Sequence, residues 1–127
     1  MRRLVIIVIA VLFSGITNLT GQEKETVLSS NSVASLAMGI HSENTGLKKS
    51  SMKMVARYKL KQVCPVLIDQ FENETSIDYK MLIAEVIYDV SCPEMVDSFR
   101  TVLKYETLDE LKYFCDLLHQ NYLFANR

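Results

Sequence analysis

Three cysteines, two histidines and a run of lysines are the residues of this 127-residue chain that could carry chemistry. In an oxidising compartment Cys64, Cys92 and Cys115 could form a disulfide, and a thiol with a lowered pKa could act as a nucleophile or redox centre. No two of them have the spacing of a metal site. Cys64 falls at the start of a third expected helix and Cys92 in the turn after a fourth. Antiparallel packing brings these two to the same end of the pair, so Cys64 and Cys92 are the expected disulfide, against the plainer reading that all three are small apolar fillers. Cys115 lies on the apolar face of the last helix and reads as a buried thiol. His41 and His119 are far apart in the chain, and no metal or other cofactor is expected at either. His119 reads as a partly buried cap on the core.

The acids Glu72, Glu74, Asp109 and Glu110 read as ordinary solvated helix-end residues, which favour the dipole where they come early in a helix. There is no nucleophile motif, no glycine-rich phosphate loop and no acid pair framed by an apolar pocket, so no catalytic residue is assigned and an enzyme is not expected. Charge segregation is the stronger signal. From Gly46 to Lys61 there are six basic residues (Lys48, Lys49, Lys53, Arg57, Lys59 and Lys61) and no acid, whereas Asp69 to Asp97 holds eight acids and one base. The plain reading is a solvated face on each helix. The functional reading is a basic patch, Lys48, Lys49, Lys53 and Arg57, that receives an acidic protein partner, an anionic lipid surface or the acidic middle of a second copy.

The elements that must position these residues begin after a targeting signal. Met1-Arg2-Arg3, an uninterrupted apolar run from Leu4 to Phe13 and a small, polar stretch from Ser14 to Gly21 have the three regions of a secretory signal peptide over residues 1–21. Ten apolar residues are too few for a membrane-spanning helix of roughly 20. The expected product is therefore periplasmic or secreted, with no stable membrane span. The full chain has 14 basic and 15 acidic residues; loss of Arg2 and Arg3 leaves 12 against 15, a net charge of −3. That mildly acidic balance argues against nucleic acid as a partner.

Residues 22–30 are polar apart from Val27 and Leu28 and read as a flexible leader. From 31 to 123 the apolar periodicity is helical throughout, and about 100 residues suffice for one modest core. Asn31 or Ser32 caps a first helix with Val33, Leu36, Ala37 and Ile40 inward. Asn44 or Thr45 caps a second, with Leu47, Ser50, Ser51, Met54, Val55 and Tyr58 inward. The third starts near Lys61, with Pro65 in its first turn, where a missing amide costs little. Thr75 or Ser76 caps a fourth, Ile77 to Val90, so apolar all round that it should be the middle of the domain. Ser91 and Pro93 open the fifth. Thr107 caps the sixth, which frays from Leu123.

The helices recur in pairs. Leu36 and Ile40 correspond to Leu67 and Phe71 and then to Phe99 and Leu103, at offsets of 31 and 32 residues. In the even helices Leu47, Met54 and Tyr58 correspond to Ile77, Ala84 and Tyr88, then to Leu108, Cys115 and His119. A period near thirty with two helices per period predicts an all-α, right-handed α-solenoid of about three antiparallel pairs, the alternative being a compact helical bundle. An aliphatic residue opening the second helix of a unit, with small residues one turn in (Leu47-Lys48-Lys49-Ser50-Ser51 and, less faithfully, Ile77 through Ala84), resembles the HEAT-repeat family over residues 32–122. The resemblance implies a protein-binding or scaffold role and implies no catalysis. The expected function is thus an exported protein-protein interaction module that could also self-associate. The alternative is a thiol/redox accessory domain or a regulatory subunit of an envelope complex.

Overall fold

The computed structural model describes residues 29–126, so the expected signal peptide and all but the end of the leader lie outside the described residues. The described residues form six α-helices: α1 Ser30–Ile40, α2 Thr45–Tyr58, α3 Cys64–Asn73, α4 Ile77–Val90, α5 Pro93–Leu103 and α6 Asp109–Ala125. A single 3-10 turn, Lys61–Val63, leads into α3. The fold is all-α, and among the described residues no helix is long and apolar enough to cross a membrane.

The starts of the helices follow from short polar side chains. Ser29, Asn44 and Ser76 each accept a hydrogen bond from a backbone N–H in the first turn of the helix they precede. Pro65 and Pro93 occupy first-turn positions of α3 and α5, where their fixed φ suits a helix and no amide is needed. The first and last helices differ from expectation: Ser29, at the end of the expected leader, caps α1 in place of Asn31 or Ser32, because its side chain accepts from the Ser32 N–H. Leu108, not Thr107, is the cap residue of α6 and has no capping side chain; Glu106 accepts from the N–H groups of both Thr107 and Leu108 instead. The helix extends past Leu123 to Ala125.

The even helices α2, α4 and α6 pack on one another in order, the odd helices α1, α3 and α5 do the same, and α1 on α2, α3 on α4 and α4 on α5 join the two rows. α4 therefore has neighbours on most sides, as its all-round apolar sequence requires, and six of its residues from Ile83 to Val90 are buried. The core between the rows is built from Ile40, Met52, Val55, Val63, Leu67, Phe71, Ile83, Ile87, Val96, Phe99 and Leu111. At its centre the Phe99 ring stands edge-on to Phe71 at 4.9 Å and to Tyr88 at 6.1 Å, so three helices meet on one side chain.

Close approach of α1 and α2 depends on two small residues. A side chain on Gly39 would overlap Ser51 Oγ and come within 3.0 Å of Ser51 Cβ. Gly39→Ala is expected to lower stability by about 1–3 kcal/mol despite alanine's better helix propensity, because the two backbones must separate. Urea melts of Gly39→Ala and of Gly39→Ala/Ser51→Gly check this; the second substitution should restore most of the loss.

Equivalent positions in the even helices lie 32 residues apart: caps at Asn44, Ser76 and Leu108, and buried residues at Ser51, Ile83 and Cys115. Left-handed C-caps at Lys59 (φ 52°) and Ser91 (φ 57°) share the spacing. Leu47, Met54 and Tyr58 thus correspond to Tyr79, Val86 and Val90, not to Ile77, Ala84 and Tyr88. α4 carries so many apolar residues that a register two residues away matches by hydropathy equally well; caps and burial separate the two. A second difference follows. Leu47, Met54 and Tyr58, expected inward, are 51%, 46% and 52% exposed, because α2 has no even helix before it among the described residues.

Candidate functional site

The four cations of the expected patch are divided by the structure. Lys48, on the first turn of α2, reaches across to the α3–α4 connection and donates to Glu74 Oε1 at 2.8 Å, with side-chain exposures of only 12% and 6%. Its ammonium also stands 5.0 Å over the Tyr79 ring. Lys48 therefore joins one helix pair to the next, with its ammonium committed to Glu74. Lys49, Lys53 and Arg57 are exposed. Four residues apart, they form one stripe along α2.

Glu74, expected as a solvated helix-end acid, is instead buried and is the hub of a polar network, because Lys48, Gln70 and two backbone amides converge on it. Its Oε2 accepts from the N–H groups of Thr75 and Ser76, and its Oε1 also accepts from Gln70 Nε2 at 3.1 Å. Gln70 Oε1 in turn accepts from His41 Nδ1 at 2.5 Å, and His41 Nε2 lies 3.9 Å from Asp69. Burial alone would raise the Glu74 carboxyl, but donors from Lys48, the Ser76 backbone and Gln70 outweigh it and hold the pKa below the usual value. The arrangement recurs 32 residues on, where Lys80 donates to Glu106 at 2.8 Å and Glu106 closes the start of α6. Burial opposes the Glu106 charge as well, and Lys80 with the two backbone amides again lowers its pKa.

The three cysteines belong to the core cluster. All three are buried as free thiols. Burial pushes the Cys64 thiol up to about 12, with Cys92 close enough to add to the shift, and burial pushes Cys115 up to about 12 as well. Cys92 donates to Glu94 Oε2 at 2.9 Å. Cys64 and Cys115 are expected to resist iodoacetamide at pH 8 in the native protein and to label at once in denaturant. Mass-spectrometric mapping checks this, and native labelling of Cys64 would revive a thiol role.

His119 lies one turn beyond Cys115 and Asp116, but each of the three faces a different neighbour. Asp116 accepts from Arg100 at 2.9 Å, the Cys115 thiol is in the core, and His119 Nδ1 meets the Tyr88 hydroxyl at 3.0 Å. Among the described residues no three His, Cys, Asp or Glu side chains are placed to hold a metal ion. Tyr88, His119 and Tyr122 instead form an aromatic cluster with centroids 5.7–6.0 Å apart. Burial drives the Tyr88 hydroxyl up to about 12 and, together with Arg100, lowers the His119 pKa, so both groups are neutral at pH 7. The spacing of Tyr88, Arg100 and His119 in the chain carries no sign of this cluster, because it forms only where α4, α5 and α6 converge.

An opening sits where α1 and α2 meet at their outer edge. A groove of about 500 Å³ is lined by Asn31, Ser32, Ser35 and Leu36 of α1, by Met54 and Tyr58 of α2, and by Leu60. Lys53 and Arg57 border it, sharing with Ser50, Met54 and Tyr58 the shallow surface alongside. Exposed apolar side chains flanked by exposed cations suit docking of a macromolecule better than turnover of a small substrate. Compared with protein-family models, curated proteins and solved structures, the chain matches none of them.

Proposed function

We propose that this chain is an exported protein-protein interaction module of the helical-repeat type, a short HEAT-like right-handed α-solenoid with no catalytic role. The observation that carries the reading is the 32-residue recurrence of cap, buried position and interhelical clamp: Lys48 to Glu74, then Lys80 to Glu106. Stacking of like helices on like, pair after pair, is the packing expected when each pair cannot bury its own apolar face alone. Export rests on the pattern of residues 1–21. The surface for a partner is that of α2, where Lys49, Lys53 and Arg57 are exposed and make no ion pair among the described residues, while no buried side-chain nitrogen or oxygen of the described residues lacks a hydrogen-bond partner.

Affinity capture from an envelope fraction tests this, with the full chain as bait beside a Lys49→Glu/Lys53→Glu/Arg57→Glu variant. Lys48 is left in place, since its replacement would unsettle the clamp to Glu74. A protein retained by the first bait and lost from the second is expected, with binding that weakens as salt rises. Retention of nothing by either bait would count against the module.

A further inference from the structure

The two ends of the row of even helices are finished differently. Positions 47, 54 and 58 of α2 face away from α4. Their counterparts face the preceding helix in α4 (Tyr79, Val86 and Val90) and in α6 (Leu111, Leu118 and Tyr122). Val86, Val90 and Leu111 are 2%, 5% and 0% exposed, whereas Leu47, Met54 and Tyr58 are about half exposed. At the other end the reverse holds. Met52 and Ala84 are fully buried beneath the following helix, but their counterpart in α6 is Asp116, an exposed carboxylate paired with Arg100. At this one position α6 is polar, although Tyr113, Leu117 and Phe124 elsewhere on that helix are exposed, whereas the α1–α2 edge keeps apolar side chains at all three of its positions.

We infer that the α1–α2 groove is a docking site for an acidic amphipathic helix of another protein, which packs on Leu36, Met54 and Tyr58 as α2 packs on α4. This rests on the interaction-module reading and names its partner's chemistry. Helical shape follows from the positions themselves, which in both α4 and α6 are covered by a helix. Acidic character follows from Lys53 and Arg57, which border the apolar stripe and make no ion pair among the described residues. A second copy fits poorly in either geometry. A two-fold contact through this edge sets Lys53 and Arg57 against their own copies, and a head-to-tail contact would bury Asp116 and its Arg100 partner under Met54. An incoming helix with carboxylates beside its apolar stripe meets the cations at the rim and leaves no buried charge unpaired.

The test is a fluorescence titration of the full chain with a labelled helical peptide of about 18 residues, long enough at about 1.5 Å per residue to run the length of α2. The peptide carries leucines along one stripe and glutamates on both flanks; a second peptide keeps the leucines and exchanges every glutamate for lysine. The acidic peptide is expected to bind about tenfold or more tightly than the basic one. Met54→Glu and Lys53→Glu/Arg57→Glu should each weaken it by about tenfold, with melting curves unchanged because these side chains are exposed. Failure of the acidic peptide to bind, equal binding of the two peptides, or indifference to Met54→Glu overturns the inference. Dimers in sedimentation that are lost with Met54→Glu would assign the groove to a second copy. Tighter peptide binding by a Val27→Glu/Leu28→Glu chain would assign it to the chain's own leader, and either result overturns the inference too. If envelope capture still succeeds with the Met54→Glu bait, the groove is wrong and the interaction module stands.

Discussion

Phe99→Ala should lower the unfolding free energy by about 3–5 kcal/mol, the range for deleting a fully buried aromatic side chain. The ring is 0% exposed and touches Phe71 of α3 and Tyr88 of α4 edge-on, so its loss removes apolar burial and leaves a cavity where three helices converge. A domain of this size has only about 5–15 kcal/mol in total, so the substitution removes a large share of it. Urea denaturation followed by far-UV circular dichroism checks the result, with the midpoint falling and the slope unchanged. Tyr105→Ala is the control: that aromatic is 84% exposed, and its removal should cost less than about 0.5 kcal/mol. Equal effects from the two would show that α5 does not pack through Phe99.

Glu106→Ala should cost about 2–4 kcal/mol, less than the full penalty for orphaning a buried charge because Lys80 keeps its place 5.0 Å above the Phe71 ring. The substitution strips the α5–α6 connection of its acceptor for two backbone amides and leaves the Lys80 ammonium, 16% exposed, without a carboxylate. Replacing both partners, Lys80→Met with Glu106→Leu, should recover much of the loss, since no uncompensated charge remains. The same clamp predicts an acid limb. Glu74 and Glu106 have folded pKa values below the unfolded carboxyl value of about 4.3, so the stability they contribute is fully present above that pH and is lost as pH falls through the folded values. His119 acts earlier with the same sign: its folded pKa is depressed, so the unfolded chain takes up its proton first as pH drops below about 6.5. Melting temperatures across pH 3–7 should fall in these two stages, and Glu106→Gln should flatten the lower one while leaving the upper one intact.

Helix content and most helix starts were legible because they depend on local chemistry. Asn44 and Ser76 cap where short oxygen-bearing side chains precede an apolar period, Pro65 and Pro93 mark first turns, and α4 runs from Ile77 to Val90 as its continuous apolar sequence implies. The cap of α6 was less legible, since Glu106 satisfies the amides that a serine or threonine would ordinarily take. The basic stripe could be read from composition, but which lysine is committed could not. Lys48 and Lys49 are neighbours in the chain, and a rotation of one residue about the helix axis sends the first to Glu74 and the second to solvent.

From the sequence alone follow an all-helical domain, its approximate segmentation, the apolar face of most of its helices and the near-thirty period, all consequences of spacing within a few turns. Tertiary structure alone decided the 32-residue register, the Lys–Glu clamps between successive pairs, the Tyr88–His119 contact and the exposure of Leu47, Met54 and Tyr58. These depend on which helix lies beside which, and an apolar position reads the same in the chain whether a neighbour covers it or, as along the outer edge of α2, none of the described helices does.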